Sequence, residues 1–172
     1  MRKLNPHKKK GLCQVAFCQR KARSYKTKNG TSYEKRCHTH NREYQKETNP
    51  LRYFYDLLRG NAKYRGHSFS LTIKEFEKFC EETNYLQLKG TQADAAHIDR
   101  KNPNKGYTYE NIRLLSCSGN SRKQWVDLKL MRKYGIDITS REDYVETVDE
   151  ILVEMDSGKT FEEVLNDSEI PF

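Results

Sequence analysis

Between residues 50 and 66 the apolar side chains Leu51, Phe54, Leu57 and Leu58 recur three and four positions apart, the spacing of one helix face. Asn49 and Pro50 stand where an N-cap and a first helical proline belong, and Gly66 breaks the pattern. A second helix is predicted from Thr72, where Glu75 completes a capping box and Ile73, Phe76, Phe79 and Cys80 form the inward stripe. Two short apolar runs then interrupt the helical period. One ends at His97 and Ile98; the other opens at Asn111 and reads IleArgLeuLeu. As paired strands they place His97 and Asp99 on one face and Asp94 with Ala96 on the other. A longer helix is predicted from about Ser118 through Trp125, Leu128, Leu130 and Met131 to Tyr134, with Gly135 as its C-cap. Ser140 with Asp143 predicts a further helix whose stripe is Tyr144, Val148, Ile151, Leu152 and Met155. Thr160 with Glu163 begins a last one, burying Phe161, Val164 and Leu165. The pattern as a whole predicts an α+β fold.

Composition adds a sharp division of charge. The chain has 172 residues, 35% hydrophobic and 33% charged, with a net charge of +8. Residues 134–172 hold only two of its 32 basic residues (Arg141 and Lys159) but twelve of its 24 acidic ones, a tail of about −10 on a body of about +18. Such a body favours a polyanion such as nucleic acid. The tail helices read as a pair packed on the body, with a protein-partner surface, a dimer contact or an acidic cover over the cationic face as alternatives. Arg59, Lys63 and Arg65 line the edge of the leading helices, as solvated packing support or as DNA-backbone contacts. LysLysLys at 8–10 reads as a solvated arm. There is no internal repeat, no apolar run of membrane-spanning length and no hydrophobic segment behind the N-terminal charges, so no membrane partner and a cytoplasmic location are expected.

Five cysteines, an odd number, favour metal binding or free thiols over disulfides. Cys13, Cys18, Cys37 and His40 give the spacing C-x4-C-x18-C-x2-H, two close pairs that each supply two corners of a tetrahedral Zn2+ site. The AsnGly between the pairs can turn a hairpin. His38 is the alternative fourth ligand. The segment is too poor in large apolar residues to fold by burial alone, and metal binding worth about 10–16 kcal/mol in small zinc modules would supply the difference. Four protein ligands leave no open position, so the zinc is structural. Cys80 falls at a helix-core position, and Cys117 lacks neighbouring partners.

The window from Ala93 to Lys123 holds AlaHisIleAspArg, LysGlyTyrThr followed by AsnIle, and AsnSerArgLys, with Asn111 fourteen residues after His97 and Asn120 nine after that. In this it resembles the HNH nucleases, in the His-Asn-Asn form of the ββα-metal motif. The N-terminal cysteine spacing resembles an element at the front of many phage-type members. The resemblance implies a zinc module at 1–48 and a nuclease domain with leading helices at 49–135; the charge division marks an acidic helical tail at 136–172. It implies a metal-dependent endonuclease acting on DNA, with RNA left open, in the host cytoplasm if phage-encoded. His97 matches the general base, Asn111 the residue that braces the hairpin loop, and Asn120 a ligand to a catalytic Mg2+ or Mn2+. Arg100, Lys105, Arg113, Arg122 and Lys123 flank these positions as candidate phosphate contacts. The sequence departs from the family at Ala96, where many members carry a metal-ligating Asp or His. Asp99, or alternatively Asp94, is then the candidate for the missing oxygen. The competing reading is a non-catalytic, zinc-stabilised nucleic-acid-binding protein that keeps the HNH fold.

Overall fold

Polar residues dominate the first forty positions, and the structure they adopt has almost no apolar interior. The computed structural model describes residues 4–5, 10–135 and 137–167; of the LysLysLys arm, Lys8 and Lys9 lie outside them. Contacts divide the chain into two units, Met1–Leu57 and Leu58–Phe172. In the first, β1 (Ser24–Thr27) and β2 (Gly30–Tyr33) pair antiparallel across the Lys28–Asn29 turn, and Gly30 carries the positive φ of +110° that this tight reversal needs. Nearly every residue of this hairpin is exposed. Around the hairpin the buried cluster is small: Cys13, Val15 and Cys37, with Leu4 and Cys18 against them. Helix α1 (His38–Thr48) starts directly after Cys37. Pro50 opens α2 (Pro50–Tyr64), and Asn49 Oδ1 accepts the Arg52 N–H at 3.1 Å, as its N-cap position requires. The division between units falls inside α2, beyond the boundary expected at residue 48.

The second unit is built around a real core. Helix α3 (Ile73–Thr83) begins with the Thr72/Glu75 capping box and buries Phe76, Phe79 and Cys80; burial pushes the Cys80 thiol up to about 11, a small hydrophobe in effect. Asn84, in the left-handed conformation, joins it to the short α4 (Tyr85–Leu88), whose Tyr85 ring meets Phe76 edge-on. Strands β3 (Ala96–Arg100) and β4 (Ile112–Ser116) pair antiparallel, with His97 opposite Leu115 and Asp99 opposite Arg113. Asp94 precedes β3 in a turn and is exposed, so the shared strand face expected for Asp94 and Ala96 does not form. Helix α5 (Cys117–Tyr134) follows β4 without a linker, because Ser116 accepts the Gly119 N–H at 2.9 Å and caps it; Gly135, at φ +68°, ends it. A 3-10 turn (Ile138–Ser140), α6 (Tyr144–Asp156) and α7 (Phe161–Asp167) complete the described chain.

These last elements share one core with α5: Val126, Leu130, Ile138, Tyr144, Val148, Ile151, Phe161 and Val164. Residues 137–167 therefore pack within the second unit. On α5, Val126 and Leu130 face inward, Leu128 is exposed, and the partly exposed Trp125 ring meets Phe161 edge-on. One local expectation fails here: the Ser140/Asp143 box does not form. Asp143 forms an ion pair with Arg141, and Ser140 Oγ donates to the Asp137 carbonyl. Among the described residues the architecture is α+β, with two separate two-stranded antiparallel sheets and seven α-helices, none long and apolar enough to cross a membrane.

The loop between β3 and β4 is held against residues 68–71. Tyr107 N–H donates to the Ser68 carbonyl at 2.9 Å, and the Tyr107 carbonyl accepts from the N–H groups of Ser70 and Leu71. Gly106 makes this approach feasible, since a Cβ there would stand 2.5 Å from the Ser68 carbonyl oxygen. Gly106→Ala is expected to destabilise the second unit by about 1–3 kcal/mol, the range for forced overpacking. Urea unfolding followed by Trp125 fluorescence measures this, and a variant as stable as the parent chain would contradict the close contact.

Candidate functional site

Cys13 and Cys18 are brought together by a tight knuckle in which the Cys18 N–H donates to the Val15 carbonyl at 3.2 Å. Cys37 ends the hairpin and His40 lies one turn into α1, on the same side. The four ligand atoms all lie within 4.8 Å of one another, with His40 Nδ1 3.2 Å from Cys13 Sγ and 3.5 Å from Cys37 Sγ. A tetrahedral zinc with Zn–S bonds of about 2.3 Å places its sulfurs about 3.8 Å apart, so this group can hold such an ion. His38 is exposed and His40 is buried, which assigns the fourth corner to His40. All five cysteines are free thiols. Burial works to raise the Cys13 thiol, but hydrogen bonds from the His40 ring and from backbone N–H groups outweigh it and lower it to about 6, which favours the ligating thiolate. Burial raises Cys37, reinforced by the neighbouring thiols.

The second candidate site lies where α5 crosses the β3–β4 hairpin. Asn111 is buried, and its amide ties the connecting loop shut: Oδ1 accepts the Asn102 N–H at 3.0 Å, while Nδ2 donates to the carbonyls of Asn102 and Gly106 at 3.1 and 2.9 Å. Asp99 is the centre of an ion cluster. Its Oδ2 accepts from Arg113 Nε at 3.2 Å and lies 3.6 Å from Lys123 Nζ, whereas Oδ1 makes no hydrogen bond among the described residues. Arg113 also pairs with Asp149 of α6. Burial raises the Asp127 carboxyl, opposed by Lys123 and by the Tyr144 hydroxyl that donates to both its oxygens.

His97 shares a strand face with Asp99, and Asn120 sits one helical turn before Lys123, on the α5 stripe that faces the hairpin. Both are half-buried. Neither side chain makes a hydrogen bond or ion pair among the described residues. Ala96 is 3% exposed and offers no donor atom.

Three of the five expected phosphate contacts are turned inward. Arg100 donates to the carbonyls of Pro103 and Lys105 and to His67 Nε2, stapling the loop. Arg113 and Lys123 are spent on Asp99, since a cation next to the hairpin interior needs an anion there. Lys105 remains exposed at the loop, and Arg122 is a surface cation paired with Asp156. No sequence signal marks His67, Asp149 or Asp156 as partners of these arginines, because 33 to 36 residues separate them and no local motif links them. A cavity of about 400 Å³ lies beside β4, lined by Arg113, Ser116, Ser118, Arg122, Asp149 and Asp156 among others. Arg113 Nη2 is buried without a hydrogen-bond partner. Comparison with protein-family models, curated proteins and solved structures finds no match to this chain.

The chain purified without chelators is expected to carry one zinc, and Cys13→Ser or Cys37→Ser is expected to lose it together with the structure of residues 10–48. Elemental analysis and circular dichroism provide the check. Protein that folds without metal would contradict the assignment.

Proposed function

We propose that the hairpin–helix element of the second unit is an HNH-type nuclease site that hydrolyses phosphodiester bonds of DNA. The observation that carries this is the contrast in its polar side chains. Asn111, Arg100, Arg113, Lys123 and Asp127 are each committed to internal partners, while His97, on the strand face of Asp99, and Asn120, one helical turn from Lys123, are half-buried and make no hydrogen bond among the described residues. In-line hydrolysis needs a base at the attacking water. A neutral imidazole takes that proton near pH 7, so His97 accepts it as the water oxygen bonds to phosphorus and the bond to the 3′ oxygen breaks. The departing oxygen takes its proton from solvent. Asn111 keeps the loop after β3 rigid, which fixes the strand that carries His97.

A hydrated Mg2+ or Mn2+ needs only one or two protein oxygens, and Asp99 Oδ1 with the Asn120 amide oxygen fit that demand. Bound there, the ion supplies Lewis-acid stabilisation of the phosphate and of the leaving oxygen. Lys105 and Arg122 are the cations left facing solvent for flanking phosphates. Arg122 becomes available once Asp156 is displaced, and a surface ion pair of this kind contributes only about 0–1 kcal/mol.

A second reading, a nucleic-acid-binding protein without catalysis, is favoured by Ala96 and by the two cations on Asp99 Oδ2, both of which weaken a divalent site. A plasmid-nicking assay separates the two. His97→Ala is expected to slow Mg2+- or Mn2+-dependent cleavage by about 10²-fold or more while leaving DNA affinity unchanged. Equal single-turnover rates would remove His97 as the base, and a parent chain that binds but never cuts would establish the second reading.

The acidic residues of α6 also make a measurable claim. Deleting 136–172 would remove six of the eight buried residues of a shared core, so point changes are the cleaner probe. Asp156→Asn is expected to free Arg122 and to steepen the slope of log K against log salt for duplex DNA by about 0.9. Parallel slopes for the two proteins would show that Asp156 does not compete with phosphate.

A further inference from the structure

Phe17 stands in a position that physics assigns to glycine. In the knuckle between Cys13 and Cys18 its backbone has φ +60°, and among the described residues only Phe17 and Asn84 are non-glycine residues with positive φ. Asparagine tolerates that conformation; a bulky aromatic does not. Its side chain is 101% exposed. One residue thus combines backbone strain with full exposure of a large apolar ring, and glycine would relieve both. A ring kept under these conditions has something to cover it.

The surroundings indicate what that is. Residues 10–36 contain eight basic side chains and one acidic one, Glu34. Arg20 and Lys21 follow the knuckle directly and are exposed, and Lys26, Lys28 and Lys35 line the β1–β2 ribbon. Lys21, Lys28 and Lys35 make no ion pair among the described residues. Both faces of the ribbon are open to solvent, with Tyr25 and Tyr33 exposed on opposite sides. A two-stranded ribbon is narrow enough to enter the groove of a duplex, and an aromatic ring beside unpaired cations is the pattern that stacks a base while phosphates are neutralised. Metal binding in this unit would hold the knuckle, and with it the ring, in a fixed place.

We propose that the zinc unit is a nucleic-acid-binding element in its own right, in which Phe17 stacks on an unstacked base and the neighbouring lysines and arginines hold the flanking phosphates. It extends the nucleic-acid reading to a unit that holds none of the hydrolytic residues, and it concerns binding alone. The base can come from a single strand or from a step that the ring opens in a duplex.

The test uses the full-length, zinc-loaded chain with no Mg2+ or Mn2+ added, so that no cleavage occurs. Fluorescence anisotropy compares a labelled single strand with the duplex of the same sequence. Phe17→Ala and Phe17→Gly are expected to weaken binding about tenfold or more, the loss of one base–aromatic stack, while Phe17→Trp keeps the affinity. Zinc content should be unchanged, and the thermal midpoint of Phe17→Gly should equal or exceed that of the parent chain. A greater loss on the single strand identifies an unpaired base as the ligand; an equal loss identifies an opened duplex step. Unchanged affinity of Phe17→Ala for both would overturn the proposal. So would a lowered thermal midpoint, which would mean that the ring covers this chain's own surface, or a parent dimer that the substitution dissociates, which would make a second copy the occupant. Since no variant touches His97 and no cleavage is read, these results stand apart from the success or failure of the nuclease reading.

Discussion

One carboxylate oxygen organises the second unit. Asp99 Oδ2 on β3 meets Arg113 from β4 and Lys123 from α5, and Arg113 reaches on to Asp149 of α6. Lys123 is only 3% exposed. An ammonium so placed is strongly destabilising unless anions surround it, and Asp99 and Asp127 lie on either side. The cluster therefore fixes the register of helix on hairpin: a shift of one residue in β3 would turn Asp99 to the opposite face, leaving Arg113 with Asp149 alone and Lys123 without its ion pair. It also decides which polar groups stay available. With Arg113 and Lys123 drawn inward, His97, Asn120 and one oxygen of Asp99 are what the crossing point leaves over.

The two units are held by different physics. Before α1 the first has a hairpin exposed on both faces and a hydrophobic cluster of three buried residues, two of them cysteines. Burial on that scale stabilises very little, so its order depends on the four ligands that converge within 4.8 Å. The second unit closes a conventional core in which α5, α6 and α7 contribute Leu130, Ile151 and Phe161. The acidic tail thereby serves two purposes: its apolar stripe completes the core, and its outer edge sets Asp149 and Asp156 against arginines of the hairpin and α5.

What the sequence revealed was local. Each close ligand pair, the Asn49–Pro50 start, the Thr72/Glu75 and Thr160/Glu163 boxes and the Gly135 stop all depend on residues within a turn or two of one another, and each is present. The Ser140/Asp143 box was equally legible and is absent, because Arg141, between its members, captures the carboxylate. On α5 the apolar residues are adjacent as Trp125 and Val126, and their partners lie far along the chain: Val126 is buried in the core that holds Tyr144, and the Trp125 ring meets Phe161 edge-on. The direction of the cations was hidden for the same reason. Nothing near Arg113 or Lys123 announces a buried partner, since Asp99 and Asp149 approach only after the hairpin, α5 and α6 have packed. Charge was visible from composition; its orientation was a tertiary property.

The proposed hydrolysis requires a divalent ion at the face that carries His97. The most direct measurement is the NMR spectrum of zinc-loaded protein, isotopically labelled at histidine, titrated with Mn2+. Paramagnetic broadening confined to the His97 ring, with exposed His38 unaffected and the effect absent in Asp99→Asn, is the predicted result. A His97 signal that stays sharp up to millimolar Mn2+ would contradict the account and leave the element as a scaffold for binding.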